Sequence, residues 1–280
     1  MSEATNNLKL SFLGAGSMNG AILRGIIASG HDPKLITATV RSDTRAQELR
    51  ALGIHVLVSD QEPEANRKAA AATDIIFLGV KPVGITELCD EISGALTAEK
   101  VVVSVAAAIT LESMQAHLPA DQPVIRSMPN TPLMVGAGVV GISPAASVSD
   151  EQTSLVTELL SGSGDVHLID EEQQNALSAI SGSGPAYAFY LAEAMANAGV
   201  AMGLDEKLAI DLARATVAGA GKMLSDPQAI PGELRKAVTS PKGTTEQAIK
   251  TFDEQGIPKI IAAGTQAAAA RAAQLSDELG

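Results

Sequence analysis

Leu10-Ser11-Phe12-Leu13-Gly14-Ala15-Gly16-Ser17-Met18-Asn19-Gly20-Ala21 decides the fold of this chain. A short apolar run leads straight into closely spaced glycines, and Ile22-Leu23-Arg24-Gly25-Ile26-Ile27 behind them reads as an amphipathic helix. A strand, a tight turn and a helix in that order bring backbone close to a pyrophosphate, whose charge is met by amide N–H groups at the helix start. Gly14, Gly16, Ser17 and Met18 are the residues expected to do this. The pattern G-x-G-x-x-G is incomplete, because its third position is Asn19 and Gly20 follows directly. By itself the stretch also suits an ordinary strand–helix turn; its place after the first strand of an alternating array favours a dinucleotide site.

That array extends outward from the glycines. Residues 8–13, 36–40, 55–58, 75–80, 101–106 and 124–128 are strand-like, several of them continuous apolar runs of the kind buried on both faces of a parallel sheet. Helix-length segments separate them, and residues 135–142 and 166–168 add two further strands. After Asp170 the texture changes to Ala, Leu and Ile at helical spacing over residues 171–181, 186–201, 205–224, 245–254 and 258–279. The fold class expected is α/β: an N-terminal Rossmann-type, mostly parallel sheet over residues 1–170 and an all-helical domain over residues 171–280.

Composition removes several functions. A net charge of −12 disfavours nucleic acid, which needs a basic patch. Cys89 is the only cysteine, so no intrachain disulfide is available. His31, His55, His117 and His167 lie too far apart in sequence for a metal-ligand motif. The polar residues 1–9 do not read as a signal peptide, and no apolar stretch is long enough to span a membrane, so a cytoplasmic location is expected. Aromatic residues make up 2%, which leaves small and aliphatic side chains to fill the core. Cys89, Met195, Met202 and Met223 have no catalytic context and read as filling.

The second strand ends Thr39-Val40-Arg41-Ser42-Asp43-Thr44-Arg45. An acidic residue at such a position ordinarily serves a ribose 2′-hydroxyl, whereas Arg41, Ser42 and Arg45 together suit a 2′-phosphate. NADPH is therefore the expected cofactor. NADH is the alternative, with Asp43 turned inward, and a solvated loop with two surface arginines is the plainer reading.

Other strand ends offer Val80-Lys81-Pro82, Ser104-Val105-Ala106-Ala107 and Met128-Pro129-Asn130-Thr131-Pro132. The helical half carries Ser181-Gly182-Ser183-Gly184-Pro185-Ala186-Tyr187 and Val238-Thr239-Ser240-Pro241-Lys242-Gly243-Thr244-Thr245. Pro241 and Gly243 make a turn, and Thr244 with Gln247 fits a capping box, so free amides there suit an anion.

With these segments the chain resembles pyrroline-5-carboxylate reductase, the last enzyme of proline biosynthesis, over essentially its whole length. The resemblance implies a helical dimerisation domain that interlocks with a second subunit, and a homodimer that in turn assembles into a ring or does not. It implies reduction of 1-pyrroline-5-carboxylate to L-proline by hydride transfer from NADPH. It places Ser240, Gly243, Thr244 and Thr245 on the substrate, with Thr245 as the catalytic hydrogen-bond donor to the ring nitrogen. Asn66, Val80, Lys81, Pro82, Ala107 and Asn130 fall on the cofactor side. Asn66 reads equally as the N-cap of a helix over residues 67–72, Lys81 as a solvated loop residue, and Asn130 as a turn stabiliser. Lys242 departs from a glycine common in the family motif. Two rivals are another imine or β-hydroxyacid reductase on the same two-domain plan and a non-catalytic NADP(H)-binding regulator.

Overall fold

The computed structural model describes residues 1–279. Eight strands form one sheet: β1 (Leu10–Leu13), β2 (Ile36–Val40), β3 (His55–Val58), β4 (Ile75–Leu78), β5 (Val101–Ser104), β6 (Val124–Pro129), β7 (Gly138–Pro144) and β8 (Gly164–Leu168). Their order is β3-β2-β1-β4-β5-β6-β7-β8, so the chain reverses direction across the sheet between β1 and β4. All neighbours are parallel except β6 and β7. These two are joined through the 3-10 turn Thr131–Val135 and a left-handed Gly136, too short a connection for a parallel crossover. The expected strand over residues 135–142 accordingly starts later, at Gly138.

Every residue of β1, β4 and β5 is buried, which is why these strands read as unbroken apolar runs. One face packs Phe12, Ile36 and Val103 under helices Ser17–Ala28, Asp43–Arg50 and Asp150–Ser161; the rings of Phe12 and Phe77 stack at 4.7 Å. The other face packs Leu13, Ile76, Leu78 and Val102 under helices Ala65–Ala71, Ile85–Ser93 and Leu111–Ala116.

The chain divides into two compact units, residues 1–182 with those from 268 onward, and residues 183–267. Helical structure begins at Glu171, and the compact units part after Gly182. The reason is polar. Segment 171–182, made of a 3-10 turn, a short α-turn and a π-turn, is tied at four points to strands β6 and β7, to the residue after β6 and to the start of helix Leu111–Ala116. Arg126 pairs with Glu171 at 2.9 Å, and the Leu111 amide donates to the same carboxylate at 2.8 Å. Gln174 Nε2 donates to Ser143 Oγ at 2.9 Å, and Asn130 Nδ2 to the Ser181 carbonyl at 3.1 Å.

The second unit contains helices Gly184–Ala201, Glu206–Leu224, Pro231–Ala237, Thr244–Glu254 and the first part of Ile257–Leu279. The first two approach closely through small residues: a Cβ at Gly199 would lie 3.2 Å from that of Ala209. Their buried residues are only Ala196, Gly199, Ala209 and Ala213. Phe189, Tyr190, Met202, Ile260 and Ile261 are each more than half exposed. Helix Pro231–Ala237 falls outside the segments of helical spacing in the sequence, because seven residues are too few to establish a period.

Candidate active site

Two constellations lie one in each unit. The first is at the carboxyl ends of β1, β2 and β4, where the strand order reverses and ligands of open α/β sheets bind. Gly14 has φ +75°, a conformation glycine adopts freely, and a Cβ there would lie 2.7 Å from Val80 Cγ1. Gly16 has open space around it and is the N-cap of helix Ser17–Ala28, without a side-chain cap. Amide donors at the helix start are thus left for a ligand, as a pyrophosphate requires, with Ser17 exposed and Met18 half-buried beside them. The residues present fit a dinucleotide.

Beneath the turn, Thr39 Oγ1 accepts from the Gly14 amide at 2.9 Å and donates to Asn66 Oδ1 at 2.7 Å. Asn66 Nδ2 continues to Glu91 Oε2 at 2.9 Å. Asn66 is therefore bonded to the support of the glycine turn. It is not the N-cap considered from sequence, since helix Ala65–Ala71 begins one residue before it with Glu64 at the cap position. Thr39 is a site residue that the sequence reading misses.

Arg41 and Ser42 are exposed at the end of β2. Arg45 lies against the glycine turn: Nε donates to the Ala15 carbonyl at 3.3 Å and one terminal nitrogen to the Gly16 carbonyl at 3.4 Å. Its other terminal nitrogen pairs with Glu48 at 2.5 Å. Asp43 accepts from Gln61 Nε2 at 2.7 Å and is engaged on the surface.

After β4, Val80 is half-buried, Lys81 exposed, and Pro82 opens the 3-10 turn Pro82–Gly84. After β5, Ala107 is exposed and Ala108 has φ +70°, an uncommon state for a non-glycine residue. Asn130 is buried with both ends of its amide engaged, donating to Ser181 and accepting from the Val139 amide at 2.9 Å. Its side chain braces the end of β6, the role considered as the alternative from sequence.

The second constellation surrounds the start of helix Thr244–Glu254. Its N-cap is Gly243 and no side chain caps it, so the capping box expected between Thr244 and Gln247 does not form. The register is shifted by one residue. Lys242 takes φ +63° and its amide donates to Glu246 Oε2 at 2.7 Å, so the residue at the third helical position that reaches back is Glu246. Lys242 keeps the turn that glycine would make more cheaply, at about 1 kcal/mol. The Gly243 amide is consumed by the Ser240 carbonyl at 3.0 Å. The amides of Thr244 and Thr245 lie in the uncapped first turn. Among the described residues the hydroxyls of Ser240, Thr244 and Thr245 are bound to no other group, while those of Thr239, Thr251 and Thr265 each donate to the backbone carbonyl four residues earlier. Thr245 is half-buried and Ser240 exposed.

No group of His, Cys, Asp or Glu able to hold a metal occurs among the described residues, and no helix there is long and apolar enough to cross a membrane.

Known proteins resemble this chain along both its sheet-containing and its helical part. Residues 171–275 match the family model described as pyrroline-5-carboxylate reductase dimerisation, and residues 9–108 match that of NADP oxidoreductase, coenzyme F420-dependent. A pyrroline-5-carboxylate reductase of Pseudomonas aeruginosa is 38% identical over 273 residues, covering 97% of this chain and 98% of the relative. That of Corynebacterium melassecola is 40% identical over 274 residues, covering 97% and 98%. The solved pyrroline-5-carboxylate reductase of Coxiella burnetii superposes with a TM-score of 0.90 at 34% identity, covering 96% of this chain and 98% of that one. With identity at this level along nearly the whole of both chains, the protein belongs to the pyrroline-5-carboxylate reductase family.

Proposed function

We propose that this protein reduces 1-pyrroline-5-carboxylate to L-proline with NADPH, and that its helical unit pairs with that of a second copy. The observation that carries the substrate assignment is the uncapped helix start at Thr244 and Thr245 with three unengaged hydroxyls around it. A carboxylate is the natural ligand of such a start, and a cyclic imine needs one further donor at its nitrogen.

When bound, NADPH supplies the hydride that adds to the imine carbon. The chain's own residues orient and polarise. Gly14, Gly16, Ser17 and Met18 hold the pyrophosphate, Arg41 and Ser42 with Arg45 meet the 2′-phosphate, and Val80, Lys81, Pro82 and Ala107 border the nicotinamide side. Asn66 acts through Thr39, and Asn130 through the loop it braces. Ser240 with the amides of Thr244 and Thr245 holds the substrate carboxylate; Gly243 shapes that turn with its own amide spent. The Thr245 hydroxyl donates to the ring nitrogen, which ends the reaction carrying one more proton. Threonine is a weak acid, so its contribution is orientation first, with water as proton source.

Dimerisation is supported by the apolar surface of the helical unit. Its first two helices bury only small residues while large side chains stay in contact with solvent, which suits a unit completed by a second copy. A cytoplasmic location is part of the same proposal, as for a biosynthetic enzyme; among the described residues no helix is long and apolar enough to cross a membrane.

The test follows oxidation of NADPH and NADH by the purified protein with 1-pyrroline-5-carboxylate, together with proline formation. NADPH-dependent proline formation is expected. Turnover only of 3-hydroxy acids would favour the rival reductase reading, and NADPH binding without turnover of any imine the regulator.

A further inference from the structure

The residue that breaks the glycine pattern and a glycine across the crevice from it are shaped to one another. Asn19 stands at the third motif position and is fully buried. Its Nδ2 donates to the Leu13 carbonyl at 3.4 Å and to the Phe77 carbonyl at 3.3 Å, joining the ends of β1 and β4. The reverse amide orientation would set Oδ1 against two carbonyls, so the donors must face the strands. Oδ1 itself has no partner.

The carboxamide fills the room that a side chain at position 79 would occupy. A Cβ on Gly79 would meet Asn19 Nδ2 at 2.2 Å, Cγ at 2.3 Å and Oδ1 at 2.9 Å, and these are its three nearest atoms. Gly79 is not in the left-handed region, so glycine is required there for space. Its amide donates at 2.8 Å to the same Leu13 carbonyl that Asn19 bonds. On the other flank, a Cβ at Gly14 would lie 2.7 Å from Val80 Cγ1 and 3.3 Å from the Gly79 carbonyl carbon. The start of the β4 loop is thus held between the glycine turn and Asn19.

We infer that Asn19 and Gly79 are a matched pair that sets the width of the crevice between β1 and β4, and that Asn19 is a positioning residue for NADPH. In the ordinary motif the bare position is on the helix; here the helix carries the side chain and the facing loop is bare. The two arrangements are interchangeable as pairs and not one residue at a time. The inference rests on the reading that this crevice takes NADPH.

The experiment measures NADPH dissociation constants by nicotinamide fluorescence, with KM values alongside, for the full-length wild type, Gly79→Ala, Asn19→Gly, Asn19→Asp and the double variant that combines Asn19→Gly with Gly79→Ala. Gly79→Ala is expected to weaken NADPH about tenfold or more, and Asn19→Gly about threefold, with KM for the imine unmoved in both. Asn19→Asp, nearly isosteric, places a carboxylate against two carbonyls and is expected to be worse than Asn19→Gly. The double variant should return to within about threefold of Asn19→Gly, because the carboxamide atoms that the added methyl would strike are gone. Equal NADPH affinity in wild type and Gly79→Ala, or a double variant no better than Gly79→Ala, would overturn the pairing. If Gly79→Ala does not fold, a folded, NADPH-binding double variant supports the pairing, and failure of both to fold refutes it. Wild-type protein that binds no NADPH would defeat the functional reading itself, a result distinct from any of these.

Discussion

The hydroxyl of Thr39 donates to Asn66 Oδ1 at 2.7 Å, while the same oxygen receives the amide of Gly14 at 2.9 Å. A left-handed glycine turn is thereby fastened to the neighbouring strand and to helix Ala65–Ala71. Thr39→Val keeps shape and deletes both bonds, leaving the Gly14 amide without an acceptor, which costs about 1–3 kcal/mol. NADPH KM should rise several-fold with a smaller change in kcat, and Thr39→Ser should restore most of it. Steady-state kinetics beside thermal unfolding separate the two effects; an unchanged KM would remove Thr39 from the cofactor site.

Arg41 and Arg45 occupy different settings at the end of β2, and their variants should differ. Arg41 is exposed, so Arg41→Ala is expected to reduce the preference for NADPH over NADH about tenfold, through loss of one charge-assisted contact. Arg45 also holds the Ala15 and Gly16 carbonyls. Arg45→Ala should therefore weaken both cofactors, NADPH the more. Ratios of kcat/KM for the two nucleotides give the answer, and a selective loss of NADPH alone in Arg45→Ala would contradict the structural role.

Thr245 has an unengaged hydroxyl beside an uncapped helix start. Thr245→Ala is expected to lower kcat about 10- to 100-fold, in the range of a lost orienting donor, with NADPH KM nearly constant. Thr245→Ser should recover much of the rate. Full activity in the alanine variant would exclude the hydroxyl from the reaction.

His31 is 1% exposed, and burial lowers its pKa by more than the nearby Asp32 charge and the Leu8 backbone raise it. The imidazole is held neutral in the folded chain, so the unfolded chain binds the proton more readily. Stability present above pH 6.5, the ordinary histidine value, should fall as pH drops from there through the lowered folded value. His31→Leu should flatten that segment of a stability-against-pH curve measured by urea unfolding. An identical slope in the variant would mean other groups cause it.

Much of the fold was legible because it rests on local signals. Strands 36–40 and 55–58 match β2 and β3 to the residue, bounded as they are by turn-forming residues. What failed to show was long-range or turned on one residue's backbone. Thr39 reads as an ordinary β-branched strand residue, since its partners lie 25 and 27 positions away. The capping interaction falls one position from where the sequence suggests it because Lys242 adopts φ +63°, which ends the turn early and hands the third helical position to Glu246. The glycine turn is identifiable from spacing, but the consequence of Asn19 within it depends on Gly79, on a different strand end. Segment 171–182 looks helical by composition, and only the polar ties from Arg126, Ser143 and Asn130 reveal that it belongs with the sheet.

The C-terminal helix has a bearing on how the chain is made. Residues from 268 onward belong to the same compact unit as β1, and Leu279 packs on the cluster containing Leu13 and Ile76. The sheet is translated first, yet it lacks part of its cover until residues 268–279 have been made. Contacts so distant in sequence are slow to form. A fragment ending at Gly182 should refold incompletely, and addition of a peptide of the C-terminal helix should improve its yield.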